Sequence, residues 1–388
     1  MNQIYLDYAS TTPTDKKVVE AMLPYFGDIF GNPASIHAFG QEAKAAVEGV
    51  RQRIAVFLGA DPAEIVFTSS GTESDNFAIK GVAAANRAKG SHIITSSVEH
   101  HAVLETCRFL EREGFAVTYL SVDGDGMVDP AAVAGAITPQ TVLVSIMHAN
   151  NEIGTIQPVA EIGRIAHERG ILFHTDAVQT FGHLPFTVRE LDCDLLSVSA
   201  HKLYGPKGVG LLYIRKGTRI VPHMNGGEQE SGRRASTLNV PGIVGFGKAV
   251  ELAGAELAEE TERLTAMRDR LIRGLFERLD GIRLNGHPTQ RLPNNINISV
   301  EDVDGEGMVL SLDMLGIAAT TGSACSSSSV EPSHVLAAIG VPREPPHGSL
   351  RFSLGRYTKK SDIDALLETL PSVVGRLRAL SPRSAGKT

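Results

Sequence analysis

Seven short runs rich in β-branched residues limit the possible fold more than any other feature of the chain. They read EIVFTSS, SHIITSS, FAVTYLSV, TVLVSIMH, GILFHTDA, DLLSVSA and VGLLYI, and they fall in the first two-thirds of the sequence. Each is short and apolar enough to be buried on both faces. Amphipathic segments such as 73–88 and 159–169 lie between several of them. This alternation predicts an α/β fold built on a mainly parallel, seven-stranded sheet with helices on both faces. Ligands of such sheets sit beyond the carboxyl ends of the strands. The residues directly after each run are therefore the candidates for chemistry.

At 388 residues the chain is too long for one simple core. The expected division is a large domain at 15–255 and a smaller α+β domain made of 1–14 and 256–388. The segment AGAELAEETERLTAMRDRLIRGLFERL at 253–279 reads as a long helix with a solvated charged face. After it come LPNNINISV, a helix near 305–315, SLRFSLG, and a last helix near 362–380. The N-terminal arm precedes the first strand of the large domain, so it is expected to pack on the second. A net charge of −7, from 37 Lys and Arg against 44 Asp and Glu, gives no reason to expect direct nucleic-acid binding. No apolar run is long enough to span a bilayer, and the opening MNQIYLDYAS is not a signal peptide. No membrane association and a cytoplasmic location are expected. The three cysteines, Cys107, Cys193 and Cys325, are far apart, fit no zinc spacing and should be free thiols.

After EIVFT comes SSGTESDN, where small residues lead into a helix at about Thr72. The free amides and dipole of a helix start suit a phosphate, although Ser-Gly-Thr before Glu is also an ordinary cap. SHIITSSVE leads to His100 and His101, which could be bases, stacking groups or hydrogen-bonded surface residues. GILFHTD ends in Asp176, with Gln179 three residues on. A buried carboxylate there needs a positive partner, either an arginine, a helix start or a protonated pyridine nitrogen. DLLSVSAHKLYGPKG places Ser199, His201 and Lys202 directly after a buried strand. Desolvation lowers a lysine's pKa and favours Schiff-base chemistry, whereas a snorkelling lysine would be inert. A phosphate cradle, a ring-facing histidine, a carboxylate for a pyridinium and an imine-forming lysine together are what pyridoxal phosphate needs. Cys325 sits in TTGSACSSSSVEPSH, among small polar residues, in a setting that favours a reactive and movable thiol. Cys107 and Cys193 read as small buried residues.

The motifs YLDYASTTP, GNPASIH, SSGTESDN, VEHHAVL, HANNEIGTIQP, HTDAVQ, SAHKLYGPKG, GRRASTLNVP, TGSACSSSSVEPSHVL and LRFSLGR occur in this order. The sequence resembles the cysteine desulfurases of the NifS/IscS-like group, class V aminotransferases with the pyridoxal-phosphate fold type I. The resemblance runs from about Tyr5 to the final helix. It implies that Lys202 forms the imine with pyridoxal 5′-phosphate and moves the α-proton, and that His100 stacks on the ring and assists proton transfer. It implies that Asp176 pairs with the pyridine nitrogen and Gln179 with the phenolic oxygen. Thr72, Ser199 and His201 would hold the phosphate, joined by Thr237 from the neighbouring subunit of a homodimer, with Gly71 also in the cofactor site. Asn151 would lie beside cofactor and substrate, and Arg351 would bind the carboxylate of L-cysteine. Cys325, on a mobile loop at about 321–333, would attack the substrate sulfur, giving an enzyme persulfide and L-alanine. The persulfide would pass to an iron–sulfur scaffold or another sulfur-acceptor protein. No intrinsic metal site is implied, beyond transient iron–sulfur ligation by Cys325. An aminotransferase or selenocysteine lyase on the same fold, or a non-catalytic relay subunit, remains open at this point.

Overall fold

A computed structural model of the chain describes residues 3–322, 333–342 and 347–380. Cys325 and most of the loop expected at 321–333 lie outside the described residues. Strand β1 (Ile4–Tyr5) belongs to the N-terminal arm. The next seven are β2 (Ile65–Thr68), β3 (His92–Ser96), β4 (Ala116–Leu120), β5 (Thr141–Ser145), β6 (Leu172–Asp176), β7 (Leu195–Ser199) and β8 (Gly210–Ile214). They form one seven-stranded sheet in the order β2-β8-β7-β6-β5-β3-β4. Only β8 runs against its neighbours, so β2 points the same way as β3 to β7.

Alternation along each strand explains how the sheet is covered on both sides. Successive strand side chains point to opposite faces. In β8, Leu211 and Tyr213 enter one core while Leu212 and Ile214 enter another. The same split divides Ile65 and Phe67 from Val66, and Leu196 and Val198 from Leu195. Helices Ala38–Leu58 and Val159–Glu168 supply the first core with Val47, Ile54 and Ile162. Helices Gly71–Asn86 and His101–Arg112 supply the second with Phe77, Ile79, Val82 and Val103. Strands buried on both faces must be apolar throughout, as these are.

A third core lies in the smaller lobe. Strands β9 (Ile282–Leu284), β10 (Asn295–Glu301) and β12 (His347–Ser353) form an antiparallel sheet in the order β12-β10-β9. The arm strand β1 pairs in parallel with β11 (Ile317–Ala318), and Leu6 enters the small core beside Ile296, Leu350 and Phe352. Further along, the arm returns to the large sheet, where the Thr12 amide donates to the His201 carbonyl at 3.1 Å.

The long helix expected at 253–279 begins earlier, and spans Val240–Arg278. Asn239 caps it by accepting from the Gly242 amide at 3.1 Å. Its glycine-rich first third looks like a breaker in sequence, but these glycines serve close packing. A Cβ at Gly245 would lie 2.6 Å from Met22 Sδ, and one at Gly247 would lie 2.6 Å from Val50 Cγ2. The boundary expected at 255 falls inside this helix. Its buried residues up to Ala253 join the large core, and those from Leu264 onward join the small one. Among the described residues, no helix is long and apolar enough to cross a membrane. Cys107 and Cys193 are fully buried free thiols. Burial pushes the Cys107 pKa up to about 12, and that of Cys193 higher still.

Candidate active site

The carboxyl ends of β2, β3, β5, β6 and β7 open onto one cavity of about 300 Å³, a size suited to a small cofactor. At the end of β2 the chain turns into helix Gly71–Asn86. Ser70 caps it, its hydroxyl accepting from the Glu73 amide at 3.1 Å. The first amides of a helix have no intrahelical acceptor and carry its positive end. Gly71 lets them approach the cavity closely, because a Cβ there would lie 2.6 Å from Val178 Cγ2 and 3.6 Å from Ser199 Cβ. Thr72, the buried Ser199 and His201 line the same end. His201 Nδ1 lies 3.1 Å from the Thr11 hydroxyl. Burial, with the charges of Lys202 and Lys207, lowers its pKa to about 4, so the ring is neutral.

His100 comes after β3 and caps the next helix, its Nδ1 accepting from the Ala102 amide at 3.1 Å. Burial and the Lys202 charge push its pKa down to about 4. With Nδ1 occupied as an acceptor, the neutral ring carries its proton on Nε2. Asp176 closes β6 and accepts from the Val178 amide at 2.8 Å. Burial raises its pKa, while that amide and the Lys202 ammonium oppose the rise. The Lys202 ammonium donates to the Ala9 carbonyl at 2.5 Å and the Ser10 carbonyl at 2.7 Å. Gln179 Nε2 donates to the Ala9 carbonyl at 3.1 Å. The arm therefore supplies the acceptors that fix both side chains.

Arg351 enters from β12 on the small lobe and is 2 % exposed. Its guanidinium donates to Asp7 at 2.7 Å, the Ser10 hydroxyl at 2.6 Å, the Asn151 carbonyl at 2.9 Å and the Gly322 carbonyl at 3.4 Å. Among the described residues its Nε is buried without a hydrogen-bond partner. A carboxylate arriving here would exchange with contacts already made to Asp7 and Ser10.

Gly71, Thr72, His100, Asn151, Asp176, Gln179, Ser199, His201, Lys202 and Arg351 thus share one cavity. Thr237 does not line it, and is exposed on the segment before the long helix. Cys325 lies outside the described residues, although Gly322, three positions before it, lines the cavity. Several other lining groups went unrecognised in the sequence. Asp75 is 1 % exposed, one turn into helix Gly71–Asn86; its spacing of four from Gly71 was the available signal. Glu152 accepts from the Ser333 hydroxyl at 2.6 Å, and burial raises its pKa. His334 lies 2.9 Å from the Glu99 carbonyl through Nε2, and its ring centre is 4.9 Å from that of His101. Nothing in the sequence connects 101 with 334. Among the described residues, no group of three or more His, Cys, Asp or Glu side chains could hold a metal ion.

Residues 4–366 match the family described as aminotransferase class-V. A cysteine desulfurase IscS of Dictyoglomus turgidum is 58% identical over 380 residues, covering 98% of this chain and 96% of that protein. The solved structure of a NifS-like protein superposes with a TM-score of 0.91 at 40% identity, over 97% of this chain and 100% of that one. A structure described as SspA in complex with cysteine gives a TM-score of 0.81 at 40% identity, over 92% of this chain and all (100%) of that one.

Proposed function

The chain belongs to the aminotransferase class-V family, and we propose that its cavity binds pyridoxal phosphate and removes sulfur from L-cysteine. The enzyme is a cysteine desulfurase: L-cysteine and an enzyme thiol give L-alanine and an enzyme persulfide. The observation that carries this reading is the convergence of a lysine ammonium, a buried strand-end carboxylate, a neutral histidine and an open helix start on one cavity. The donor set fits the cofactor. Gly71 leaves a cradle that a Cβ would fill, and among the described residues Asp75 leaves a buried oxygen without a hydrogen-bond partner at its wall. Bound pyridoxal phosphate supplies a carbonyl for amine exchange and a ring that withdraws electrons from the substrate α-carbon.

The chain's own residues then have separable tasks. Gly71, Thr72, Ser199 and His201 hold the phosphate, joined by Thr237 of a second copy in a homodimer. Asp176 would pair with the ring nitrogen and keep it protonated, and Gln179 would pair with the phenolic oxygen. Lys202 Nζ would be the point of covalent attachment and would afterwards hold the α-proton; the Ala9 and Ser10 carbonyls hold it at the cavity. The neutral His100 ring offers an Nε2–H donor to the cavity rather than a strong base. Arg351 binds the substrate carboxylate, with Asn151 beside it. Cys325 accepts the sulfur, and an iron–sulfur scaffold or another acceptor protein in the cytoplasm receives it. The SspA relative captured with cysteine supports this choice of substrate.

Sulfide and alanine release from L-cysteine with a reductant, read with the visible spectrum, tests the reading. Wild type should be yellow and form both products, and Cys325→Ala should be yellow and sulfide-silent. A Cys325→Ala variant as active as wild type would overturn the role of that thiol.

A further inference from the structure

The cavity wall contains a second carboxyl that the proposed chemistry leaves unused. Asp75 sits on helix Gly71–Asn86, 1 % exposed, and among the described residues its Oδ1 has no hydrogen-bond partner. It lines the same cavity as Asp176. Among the described residues, its one ion-pair contact is His174 Nε2, at 3.6 Å. That imidazole is fully buried, with Nδ1 2.8 Å from the Ser145 hydroxyl and Nε2 2.9 Å from the Ser197 hydroxyl. Burial lowers its pKa to about 3, so it supplies no charge. The other groups acting on Asp75 are the carboxyls of Asp176 and Glu99, which oppose its ionisation, and the Ser197 hydroxyl, which favours it.

Two carboxylates sharing a dry space do not both ionise without a cation. The geometry decides which one keeps the proton. Asp176 receives the Val178 amide at 2.8 Å and the favourable field of Lys202, which both stabilise its anion. Asp75 has neither aid. On this basis, and resting on the cofactor reading above, we infer that Asp75 is a positioning residue, a neutral acid in the cavity wall that leaves Asp176 the single anion facing the ring nitrogen. A carboxylic acid has one donor and one acceptor to offer, as an asparagine amide does. An anion at Asp75 would instead compete with Asp176 for the ring nitrogen and for Lys202.

The test uses the full-length protein and the variants Asp75→Asn and Asp75→Leu. The first readout is the infrared carbonyl stretch of protonated carboxylic acids at pH 7, wild type minus Asp75→Asn. A band lost in the variant is expected; no difference would overturn the inference. The second readout is pyridoxal phosphate affinity by titration. Asp75→Asn should stay within about threefold of wild type, and Asp75→Leu, which also carries no charge, within about tenfold. An Asp75→Asn variant that loses about tenfold or more would show that the charge is needed and overturn the inference. Should Asp75→Leu not fold, the infrared band and the Asp75→Asn affinity still decide. Failure of wild type to bind pyridoxal phosphate would sink the cofactor reading, whereas the infrared result concerns Asp75 alone.

Discussion

Replacing Gly71 by alanine places a methyl carbon 2.6 Å from Val178 Cγ2, about 1 Å short of the optimum of roughly 3.5–4.0 Å between carbon atoms. Val178 is β-branched, with few rotamers to escape into, and it lies two residues after Asp176. Either the helix start or the 176–179 turn must move. Overpacking of this kind costs about 1–3 kcal/mol. Alanine's helix preference over glycine returns about 0.5–1 kcal/mol of that in stability. It returns nothing in cofactor affinity, because the gain is the same with and without ligand. If the strain is relieved by shifting the phosphate cradle, affinity for pyridoxal phosphate falls roughly 5- to 150-fold. Titration of the cofactor-free protein measures this, and a melting curve separates it from global loss. Val178→Ala removes the colliding methyl, so Gly71→Ala/Val178→Ala should recover most of the lost affinity, a coupling of about 1 kcal/mol or more. Wild-type affinity in Gly71→Ala, or no recovery in the double variant, would refute the cradle argument.

Two further outcomes rest on the same geometry. Arg351→Lys keeps a positive charge beside Asp7 but loses the planar fork, so KM for L-cysteine should rise about tenfold or more with kcat little changed. Steady-state kinetics check this, and a fall in kcat at constant KM would count against carboxylate binding. Glu99 is fully buried, accepting from the Ser96 hydroxyl at 2.6 Å and the Met147 amide at 3.1 Å, and burial raises its pKa from 4.5 to about 8. A raised acid contributes stability that is complete below pH 4.5 and declines as pH rises through about 8. Glu99→Gln cannot titrate, so its stability relative to wild type should climb between pH 5 and pH 9 by on the order of a few kcal/mol, read as a rising Tm difference. A Tm difference that does not change with pH would show that Glu99 ionises freely in the fold.

The large sheet was legible because its strands are buried on both faces, which leaves short apolar runs with polar chemistry at their ends. Asp176, Ser199 and Lys202 could be found by inspecting the residues at the carboxyl end of each run. Asp75 could not be found this way, since it lies inside a helix and its meaning depends on Asp176, 101 positions later. Arg351 was singled out by resemblance, and its partners Asp7 and Ser10 come from the far end of the chain. The pairing of His101 with His334 likewise needs the packed fold. The start of the long helix was misread because glycine has two opposite uses. It breaks isolated helices, but it also lets packed helices approach, and only the neighbours Met22 and Val50 show which use applies. Thr237 is exposed on the segment before the long helix and lines no cavity with the other candidate residues.

The helix Val240–Arg278 has a consequence for how the protein comes apart. At 39 residues it is about 58 Å long, from a rise of about 1.5 Å per residue, and the two lobes' cores are built on its successive halves. Melting either core strips the burial that keeps its half of the rod helical, and the break then propagates along the shared backbone. The arm adds a second tie, with Leu6 in the small core and Thr12 on the large sheet. Two hydrophobic centres joined in this way should melt as one cooperative unit, and a calorimeter should record a single endotherm for a two-lobed chain.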